Sequence, residues 1–287
     1  MTKGERLRHI LTEGGNVIAP GIYDAVSARI AEAAGFEMML LPGSNTAATL
    51  LGVPDIGLVT LTELSTHVKN IARATTIPMV IDADVGFGNA MNTARTVEEL
   101  EGAGAAAIIL EDGIVPQPFG KGSGESLVSQ EEMCGKIGAA VAVRQDSSTV
   151  IIARTNSRSV EGVEGALKRA ESYANSGADA IFVIGLKSRE EYQQVRKALD
   201  LPLVASFTDG ASPSLPDAKE LEAIGYRLIL YPRLVLQTAA WAMEGALAFL
   251  AKEGHARPYI EKKLDPAKMN SILRGEEFKA LEKRFLS

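Results

Sequence analysis

The amino-acid sequence predicts an α/β fold, a closed (β/α)8 barrel of the TIM type with extra C-terminal helices. The chain of 287 residues contains eight short apolar runs rich in β-branched residues, and a stretch with helical periodicity follows them in turn. Several runs are preceded by a Gly step that ends a helix, as in Ala103-Gly104-Ala105 and Ser176-Gly177-Ala178. The predicted strands cover residues 16–22, 38–43, 78–84, 106–112, 149–156, 180–185, 202–207 and 227–232.

The strands are apolar on both faces, which indicates a parallel sheet whose crossover helices cover each side. Eight such units in about 240 residues fit a closed barrel, and an open doubly wound sheet is the alternative. The dinucleotide-binding version of that sheet needs G-x-G-x-x-G after the first strand. Here Gly86-Phe87-Gly88-Asn89-Ala90-Met91 follows the third strand and lacks the last Gly. Gly120-Lys121 is followed by Gly122, not by Ser or Thr, so it is not a phosphate-binding P-loop.

A long Ala-rich helix over residues 234–250 follows the eighth predicted strand. A polar break and a charged tail then run to residue 287, with apolar positions such as Met269 and Phe278 at helical spacing. We therefore divide the chain into a catalytic barrel domain, residues 1–250, and a helical extension, residues 251–287. The extension must pack either on the barrel or on a second subunit.

Charge and cysteine content restrict the partners and the compartment. The 36 acidic and 30 basic residues leave a formal charge of -6, without the basic surplus needed to bind nucleic acid. A single Cys, Cys134, cannot form an internal disulfide. The charged N-terminal stretch is unlike a signal peptide, and no run approaches the roughly 18 apolar residues of a membrane span. We expect a cytoplasmic protein with no nucleic-acid or membrane partner.

Acidic side chains follow the third and fourth predicted strands, where the carboxyl ends of a barrel form its active site. Asp82, Asp84 and Glu111 would bring three carboxylates onto neighbouring strands. Such close like charges repel unless they share a cation. Hard oxygen ligands of this kind predict a site for Mg²⁺, or for Mn²⁺. The alternative is that Asp82 and Asp84 only cap the next helix.

Other strand ends carry polar groups that suit an acidic substrate. Arg154 can bind a carboxylate with two parallel N–H groups, although it could instead neutralise Glu111 or Asp82, and both roles can hold. Gly43 and Ser44 can offer backbone N–H groups and a hydroxyl to a second carboxylate, or form an ordinary strand-to-helix turn. Four more residues complete the predicted strand-end site: Asn156, Ser206, Thr208 and Tyr231.

Residues 113–126 contain four Gly and two Pro and directly follow the fourth predicted strand. A loop of this length beside an active site is typical of a lid, and a plain surface loop is the alternative.

Five motifs stand in order between about residues 5 and 250. They are Pro20-Gly21-Ile22-Tyr23-Asp24-Ala25-Val26-Ser27-Ala28, Val53-Pro54-Asp55, Asp82-Ala83-Asp84-Val85-Gly86-Phe87-Gly88-Asn89, Leu110-Glu111-Asp112 and Ile152-Ala153-Arg154-Thr155-Asn156. Together they resemble the isocitrate lyase and phosphoenolpyruvate mutase superfamily. The resemblance implies a (β/α)8 barrel with bound Mg²⁺ that acts on a small 2-oxo or 2-hydroxy dicarboxylate through an enolate of pyruvate or a close relative.

The resemblance also implies roles for individual residues. Asp84 would bind the metal directly, Asp82 and Glu111 would hold metal-bound waters, and Asp55 would lie near the reacting centre. The substrate would be held by Arg154, Gly43 and Ser44. Members of the superfamily exchange a C-terminal helix between subunits, which implies a homodimer or homotetramer in which residues 234–287 find their partner.

The chain departs from the carbon–carbon lyases of this superfamily that split methylisocitrate or dimethylmalate. Their lid carries Lys-Arg-Cys-Gly-His, whereas this chain has Gln117-Pro118-Phe119-Gly120-Lys121. A retro-aldol lyase must protonate its leaving carbanion, and a proton donor contributes roughly 10²- to 10⁴-fold. Decarboxylation needs no such donor, because CO₂ leaves without a proton and the enolate needs only fixed positive charge and a Lewis acid.

The favoured interpretation is therefore an Mg²⁺-dependent lyase that decarboxylates oxaloacetate to pyruvate. The oxaloacetate decarboxylases of the superfamily have a similar lid without Cys, in which Phe-Gly precedes a basic residue. The segment just after the eighth predicted strand differs from that branch, which has a His at this point. Here the segment is Tyr231-Pro232-Arg233, which is more similar to that of the lyases. Two alternatives remain: a retro-aldol lyase in which Lys121 or Tyr231 is the proton donor, and a non-catalytic barrel that binds a metabolite.

Overall fold

The apolar runs form one ring of parallel strands in the computed structural model, which describes residues 1–115, 126–207 and 215–286. The strands are β1 (Val17–Pro20), β2 (Met39–Leu41), β3 (Met79–Asp82), β4 (Ala107–Glu111), β5 (Val150–Thr155), β6 (Ala180–Val183), β7 (Leu203–Ser206) and β8 (Leu228–Tyr231). Each lies within the range predicted for it, so all eight strand predictions are confirmed.

Strand order follows the chain around the ring. β1 pairs with β8, and every other neighbour in the sheet is also its neighbour in sequence, always in parallel. A single bridge between Gly21 and Leu40 joins β1 to β2, where the Ile22 N–H donates to the Leu40 carbonyl at 2.8 Å. This arrangement confirms the (β/α)8 barrel and excludes the doubly wound alternative, whose strand order reverses.

Helices cover the outside of the ring. They are α1 (Lys3–Glu13), α2 (Ala25–Ala33), α3 (Gly43–Leu51), α4 (Leu61–Ala74), α5 (Ala90–Ala103), α6 (Gln130–Val143), α7 (Arg158–Asn175), α8 (Arg189–Ala198), α9 (Ala218–Ile224), α10 (Leu234–Glu253), α11 (Pro266–Ile272) and α12 (Gly275–Phe285). Alternate strand residues point to opposite faces. One set, such as Ile81 and Ile151, packs under the helices, while the other, such as Val80 and Ile152, fills the barrel. Leu7 of α1 belongs to the inner cluster and is fully buried.

Caps place the helices close behind the strand ends. The Asn89 side chain accepts the N–H groups of Met91 and Asn92 and so caps α5. The alternative role of Asp82 and Asp84 as caps of that helix is therefore wrong, and both carboxylates are left for the barrel mouth.

The C-terminal helices lie outside the barrel. No residue of α10 is buried, and Trp241 and Phe278 are 75% and 64% exposed. One contact with the barrel side is the hydrogen bond from the Arg29 guanidinium to the Ile272 carbonyl, at 2.9 Å. The extra helices are thus confirmed, and the part of the chain that the structure describes covers α10 only in part, for example where Tyr259 packs on Phe249 with ring centroids 5.7 Å apart.

The helix α10 also corrects one expectation. Among residues 1–115, 126–207 and 215–286, it is the single helix that is long and apolar enough to cross a membrane. The expectation that no stretch approaches this limit was wrong, because Ala and Leu dominate the 20-residue helix. Length and composition do not distinguish a membrane span from a helix that another protein surface covers.

Candidate active site

A tight turn after β3 presents two of the predicted acidic side chains. Asp82 is the last residue of β3, and Asp84 has a left-handed backbone with φ of 47°. The Gly86 N–H donates to the Ala83 carbonyl at 2.9 Å, and Gly86 itself has φ of 77°. Asp and Asn adopt this conformation more readily than most other residues with side chains. The turn therefore directs the Asp84 carboxylate to the barrel mouth with little backbone strain.

The end of β4 lies against this turn. The backbone N–H of Glu111 donates to the Asp84 carbonyl at 2.8 Å. Gly43, at the start of α3, leaves the space that the Asp84 carboxylate fills, since a Cβ there would lie 2.8 Å from Asp84 Oδ1. The start of α3, the turn after β3 and the end of β4 thus meet at Asp84.

Arg154 lies near the end of β5 and faces these acidic groups. Its guanidinium is 2.9 Å from Glu111 Oε2 and 3.7 Å from Asp82 Oδ2. Its Nε and Nη2 atoms also donate to Asn156 Oδ1, at 3.2 and 3.0 Å, and Phe182 lies below it with a cation–π distance of 5.7 Å. The neutralising role of Arg154 is therefore present, and the fork of donors is held in one orientation.

The carboxylates carry more negative charge than Arg154 balances. Loss of hydration raises the pKa of Asp84 well above its ordinary value, and repulsion by Asp82, Asp55 and Glu111 raises it further. Burial also raises the pKa of Glu111, although Arg154 opposes this. Such a cluster favours a cation among the carboxylates.

The donor set fits Mg²⁺ that keeps part of its water shell. Within the described ranges, no three His, Cys, Asp or Glu side chains converge closely enough to enclose an ion on their own. Mg²⁺ binds through one or two carboxylates while keeping several waters, so it does not need such an enclosure. The raised pKa of Asp84, which reflects the neighbouring negative charges, agrees with a site in which Asp84 is the direct ligand.

A hydrogen-bond network behind the site holds the end of β5. The Asp112 carboxylate is fully buried and accepts the Thr155 hydroxyl at 2.6 Å, the Asn156 N–H at 2.8 Å and the Tyr173 hydroxyl at 2.9 Å. Arg169 donates to Tyr173 and to the Val128 carbonyl. This network fixes the backbone from which Arg154 and Asn156 project.

A cavity of about 210 Å³ opens at the same end of the barrel. Five candidate site residues line it: Ser44, Arg154 and Ser206 of the predicted substrate site, Asp55 of the predicted catalytic set and Asp82 of the predicted metal site. The remaining lining is largely apolar, and the sequence pointed only to its last two members, which follow β8. These residues are Leu40, Pro42, Ile109, Phe182, Ile184, Leu230, Pro232 and Arg233. Phe182 could have been found from the register, since it pairs with Arg154 across β5 and β6.

Asp55 lies at the rim of this cavity. Its side chain is exposed, but the surrounding protein still removes enough water to raise its pKa, and Asp82 adds to the rise. Arg154 and Arg233 act in the opposite direction. The carboxyl therefore lies within the field of both guanidinium groups.

The N-terminus of α3 contributes Gly43 and Ser44. Pro42 precedes them as the N-cap and provides no side-chain hydrogen bond. The first backbone N–H groups of a helix point outward and attract anions. The strand-to-helix turn is therefore present, and its geometry is also suited to a carboxylate.

Other predicted residues lie further from the cavity. Asn156 is buried behind Arg154, and its Nδ2 has no hydrogen-bond partner in the described chain. Tyr231 packs on Phe207 with ring centroids 5.1 Å apart and does not line the cavity. Thr208 and Lys121 lie outside the described residues, as does most of the predicted lid. The two ends of that loop are joined, since the Ile114 N–H donates to the Ser126 carbonyl at 3.2 Å.

Comparisons with known proteins match almost the whole chain. A family profile described as phosphoenolpyruvate phosphomutase matches residues 7–251. The probable 2-methylisocitrate lyase 2 of Corynebacterium glutamicum is 39% identical over 265 residues, covering 92% of this chain and 86% of its own. The oxaloacetate decarboxylase of Bradyrhizobium diazoefficiens is 39% identical over 280 residues, covering 97% and 95%. A solved structure of phosphonopyruvate hydrolase in complex with oxalate and Mg²⁺ superposes with a TM-score of 0.91, at 29% identity and 100% of both chains.

Proposed function

The chain belongs to the isocitrate lyase/phosphoenolpyruvate mutase superfamily, and we propose that this carbon–carbon lyase decarboxylates oxaloacetate to pyruvate and CO₂ with bound Mg²⁺. The substrate is a small dicarboxylate. A relative named oxaloacetate decarboxylase at 39% identity supports the reaction, and a structural neighbour with Mg²⁺ and oxalate supports the metal.

The residues that line the cavity favour decarboxylation over a retro-aldol cleavage. Arg154 supplies a fixed positive charge there, and the described lining contains no Cys, His, Lys or Tyr, so its ionisable groups other than Arg are the carboxyls of Asp55 and Asp82. A retro-aldol cleavage needs a base for the substrate hydroxyl and an acid for the carbanion, whereas decarboxylation releases neutral CO₂ and needs one acid, for C3 of the remaining enolate.

In the proposed reaction the bond between C3 and C4 of oxaloacetate breaks, and its electron pair moves toward the C2 keto oxygen. C4 departs as CO₂. The Arg154 guanidinium stabilises the negative charge that develops, in a site that holds the donors in place beforehand. The N–H groups of Gly43 and Ser44, with the Ser44 and Ser206 hydroxyls, hold the carboxylate next to the keto group.

The final step adds a proton to C3 and gives pyruvate. We assign the proton to the Asp55 carboxyl, which lines the cavity and whose raised pKa keeps it protonated to a higher pH than an ordinary Asp. Water then restores the proton on Asp55. When bound, Mg²⁺ supplies a Lewis acid for the charge on the keto oxygen. Asp84 would hold it directly, and Asp82 and Glu111 through water.

A retro-aldol lyase is the second candidate, and the residues after β8 favour it. Tyr231-Pro232 resembles the lyases of the superfamily, and a relative at 39% identity is named a probable 2-methylisocitrate lyase. In that reaction the leaving fragment would be protonated by Lys121, which lies outside the described residues, or by Tyr231 after its side chain has turned from Phe207 toward the cavity.

The proposal includes a cytoplasmic homodimer or homotetramer. The exposed apolar side chains of α10 and α12 support self-association, since contiguous apolar surface of this kind marks an interface. Four of them, all at least half exposed, are Trp241, Leu247, Phe278 and Phe285. The absence of a disulfide in a chain with one Cys agrees with the compartment.

The test is an end-product assay with Mg²⁺ on oxaloacetate, 2-methylisocitrate and 2,3-dimethylmalate. Oxaloacetate also loses CO₂ without an enzyme, so the Arg154→Met variant measures the rate of this background reaction. Arg158→Met is the matched control, because it removes only an ion pair with Glu191 away from the cavity. Pyruvate and CO₂ in equal amounts from oxaloacetate alone support the proposal. A 2-oxo acid with a second organic acid contradicts it in favour of the lyase, and binding without turnover indicates a non-catalytic barrel.

A further inference from the structure

Arg233 lies in the segment that follows β8, the strand opposite β4 in the ring. Pro232 separates it from β8, and it is the N-cap residue of α10, which begins at Leu234. Arg233 lines the cavity together with Arg154, which projects from β5. Two guanidinium groups from distant strands therefore border one small cavity.

Backbone contacts hold Arg233 in this place. The Asn45 side chain is buried and donates to the Pro232 carbonyl at 2.9 Å and to the Ile22 carbonyl at 3.3 Å. Gly21 approaches the same carbonyl so closely that a Cβ would lie 1.9 Å from it. The Gly21 N–H also donates to the Tyr231 carbonyl at 2.8 Å. The segment that carries Arg233 is thus fixed to β1 and to the start of α3.

The lining of the cavity combines these two cationic groups with a mostly apolar wall. Its apolar side chains include Phe182, Ile184 and Leu230, and its other polar groups are Ser44, Ser206, Asp55 and Asp82. Both guanidinium groups lower the pKa of Asp55, so both act on the charge inside the cavity. A small, largely apolar cavity that two guanidinium groups border matches a short chain with a carboxylate at each end.

We propose that Arg233 is a specificity-determining residue that binds the second carboxylate of the substrate, the one farther from the keto or hydroxy group, and so selects dicarboxylates over monocarboxylates of equal length. This inference rests on the proposed function for its substrate class. It assigns Arg154 and the start of α3 to one end of the substrate and Arg233 to the other.

The assignment has a kinetic consequence for decarboxylation. The carboxylate bound by Arg233 becomes neutral CO₂, so its interaction with Arg233 weakens as the bond breaks. An interaction stronger in the ground state than in the transition state lowers KM without raising kcat. Loss of Arg233 should therefore raise the KM for oxaloacetate about 10- to 100-fold and leave kcat unchanged or higher.

Binding of two inert ligands tests the assignment without turnover. Malate and 2-hydroxybutyrate share one skeleton and differ by a terminal carboxylate in place of a methyl group. Calorimetry with saturating Mg²⁺ should show that the wild-type protein binds malate at least about 10-fold more tightly. Arg233→Met should remove this preference and leave 2-hydroxybutyrate affinity unchanged. Arg233→Lys should restore part of it, because Lys keeps the charge but not the paired N–H groups.

Lys252→Met, at the far end of α10, is the matched control and should behave as wild type. Thermal unfolding of each variant verifies the fold. Equal binding of the two ligands by wild type, no binding of either, or an unchanged preference in Arg233→Met would overturn the assignment. If the preference for malate is present but oxaloacetate is not consumed, the proposed reaction fails and the role of Arg233 stands.

Discussion

The carbonyl of Asp84 accepts the backbone N–H of Glu111 at 2.8 Å. This hydrogen bond joins the turn after β3 to the end of β4, so the backbones that carry the two carboxylates are held side by side. A metal site needs this kind of preorganisation, because its ligands otherwise repel one another when the ion is absent.

Asp84→Asn should reduce kcat/KM for the natural substrate at least about 100-fold, because the direct metal ligand is lost. Asn also tolerates the left-handed backbone at this position, so the fold should remain. Steady-state kinetics, Mg²⁺ calorimetry and circular dichroism provide the readouts. Asp265→Asn, at the exposed cap of α11, is the control. Retained activity with unchanged Mg²⁺ affinity would refute the ligand assignment.

Removal of metal should abolish turnover. Dialysis against EDTA is expected to lower the rate to the solution background, and added Mg²⁺ or Mn²⁺ should restore it, since both suit oxygen ligands. The metal content of each sample is measured by emission spectroscopy. Full activity in protein shown to be free of metal would rule out this chemistry.

The stability of the metal-free protein should depend on pH through Asp84. Its pKa is raised in the folded state, so the folded protein binds the proton more tightly than the unfolded chain. Its contribution is greatest below the unfolded pKa of about 4 and is lost as the pH rises through the raised value. Urea unfolding between pH 4 and pH 8 should show a smaller decline for Asp84→Asn than for wild type. Identical declines would show that Asp84 does not carry the effect.

Tyr173→Phe should destabilise the protein by about 1–3 kcal/mol, because it leaves the buried Asp112 carboxylate short of one hydrogen bond. It should also lower kcat/KM, since Asp112 positions the strand end of Arg154. Tyr226→Phe removes a longer hydrogen bond of 3.4 Å, to the Tyr192 carbonyl, and should cost less. Denaturant unfolding measures the free energy of unfolding of both variants. Equal decreases would mean that the hydrogen bond to Asp112 contributes no more to stability than the bond to the Tyr192 carbonyl.

Trp241→Glu should weaken the proposed self-association, because it places a charge on the exposed apolar side of α10. Light scattering after size-exclusion chromatography is expected to show a shift toward the single chain. Glu244→Gln on the same helix should leave the mass unchanged. An unaltered oligomer in Trp241→Glu, or a monomeric wild type, would argue against an interface at α10.

The barrel could be predicted because its strands are continuous apolar runs between turn residues, as in Ala107–Glu111 with its buried Ile108 and Leu110. Strand ends could also be predicted, since in this fold they carry the chemistry. The candidate acidic residues and Arg154 could therefore be identified from the sequence, because each stands at the end of a predicted strand.

The support behind the site could not be predicted in the same way. Asp112 bonds to Tyr173, 61 residues later, and Lys136 is buried so that its ammonium donates to the Val85 carbonyl at 3.2 Å. No spacing in the sequence signals these contacts, which depend on how helices pack against strands. Asn156 shows the same limit, because its place behind Arg154 depends on a side-chain orientation that the order of residues does not reveal.

The bridge between Gly21 and Leu40 has a consequence for how the enzyme matures. Among the described residues it is the one β-bridge between the first strand and the second, and Leu40 also forms part of the cavity wall. A newly made chain in which this bridge has not formed lacks part of the cavity wall. Nascent or partly unfolded molecules should therefore not bind or convert the substrate until the barrel has closed.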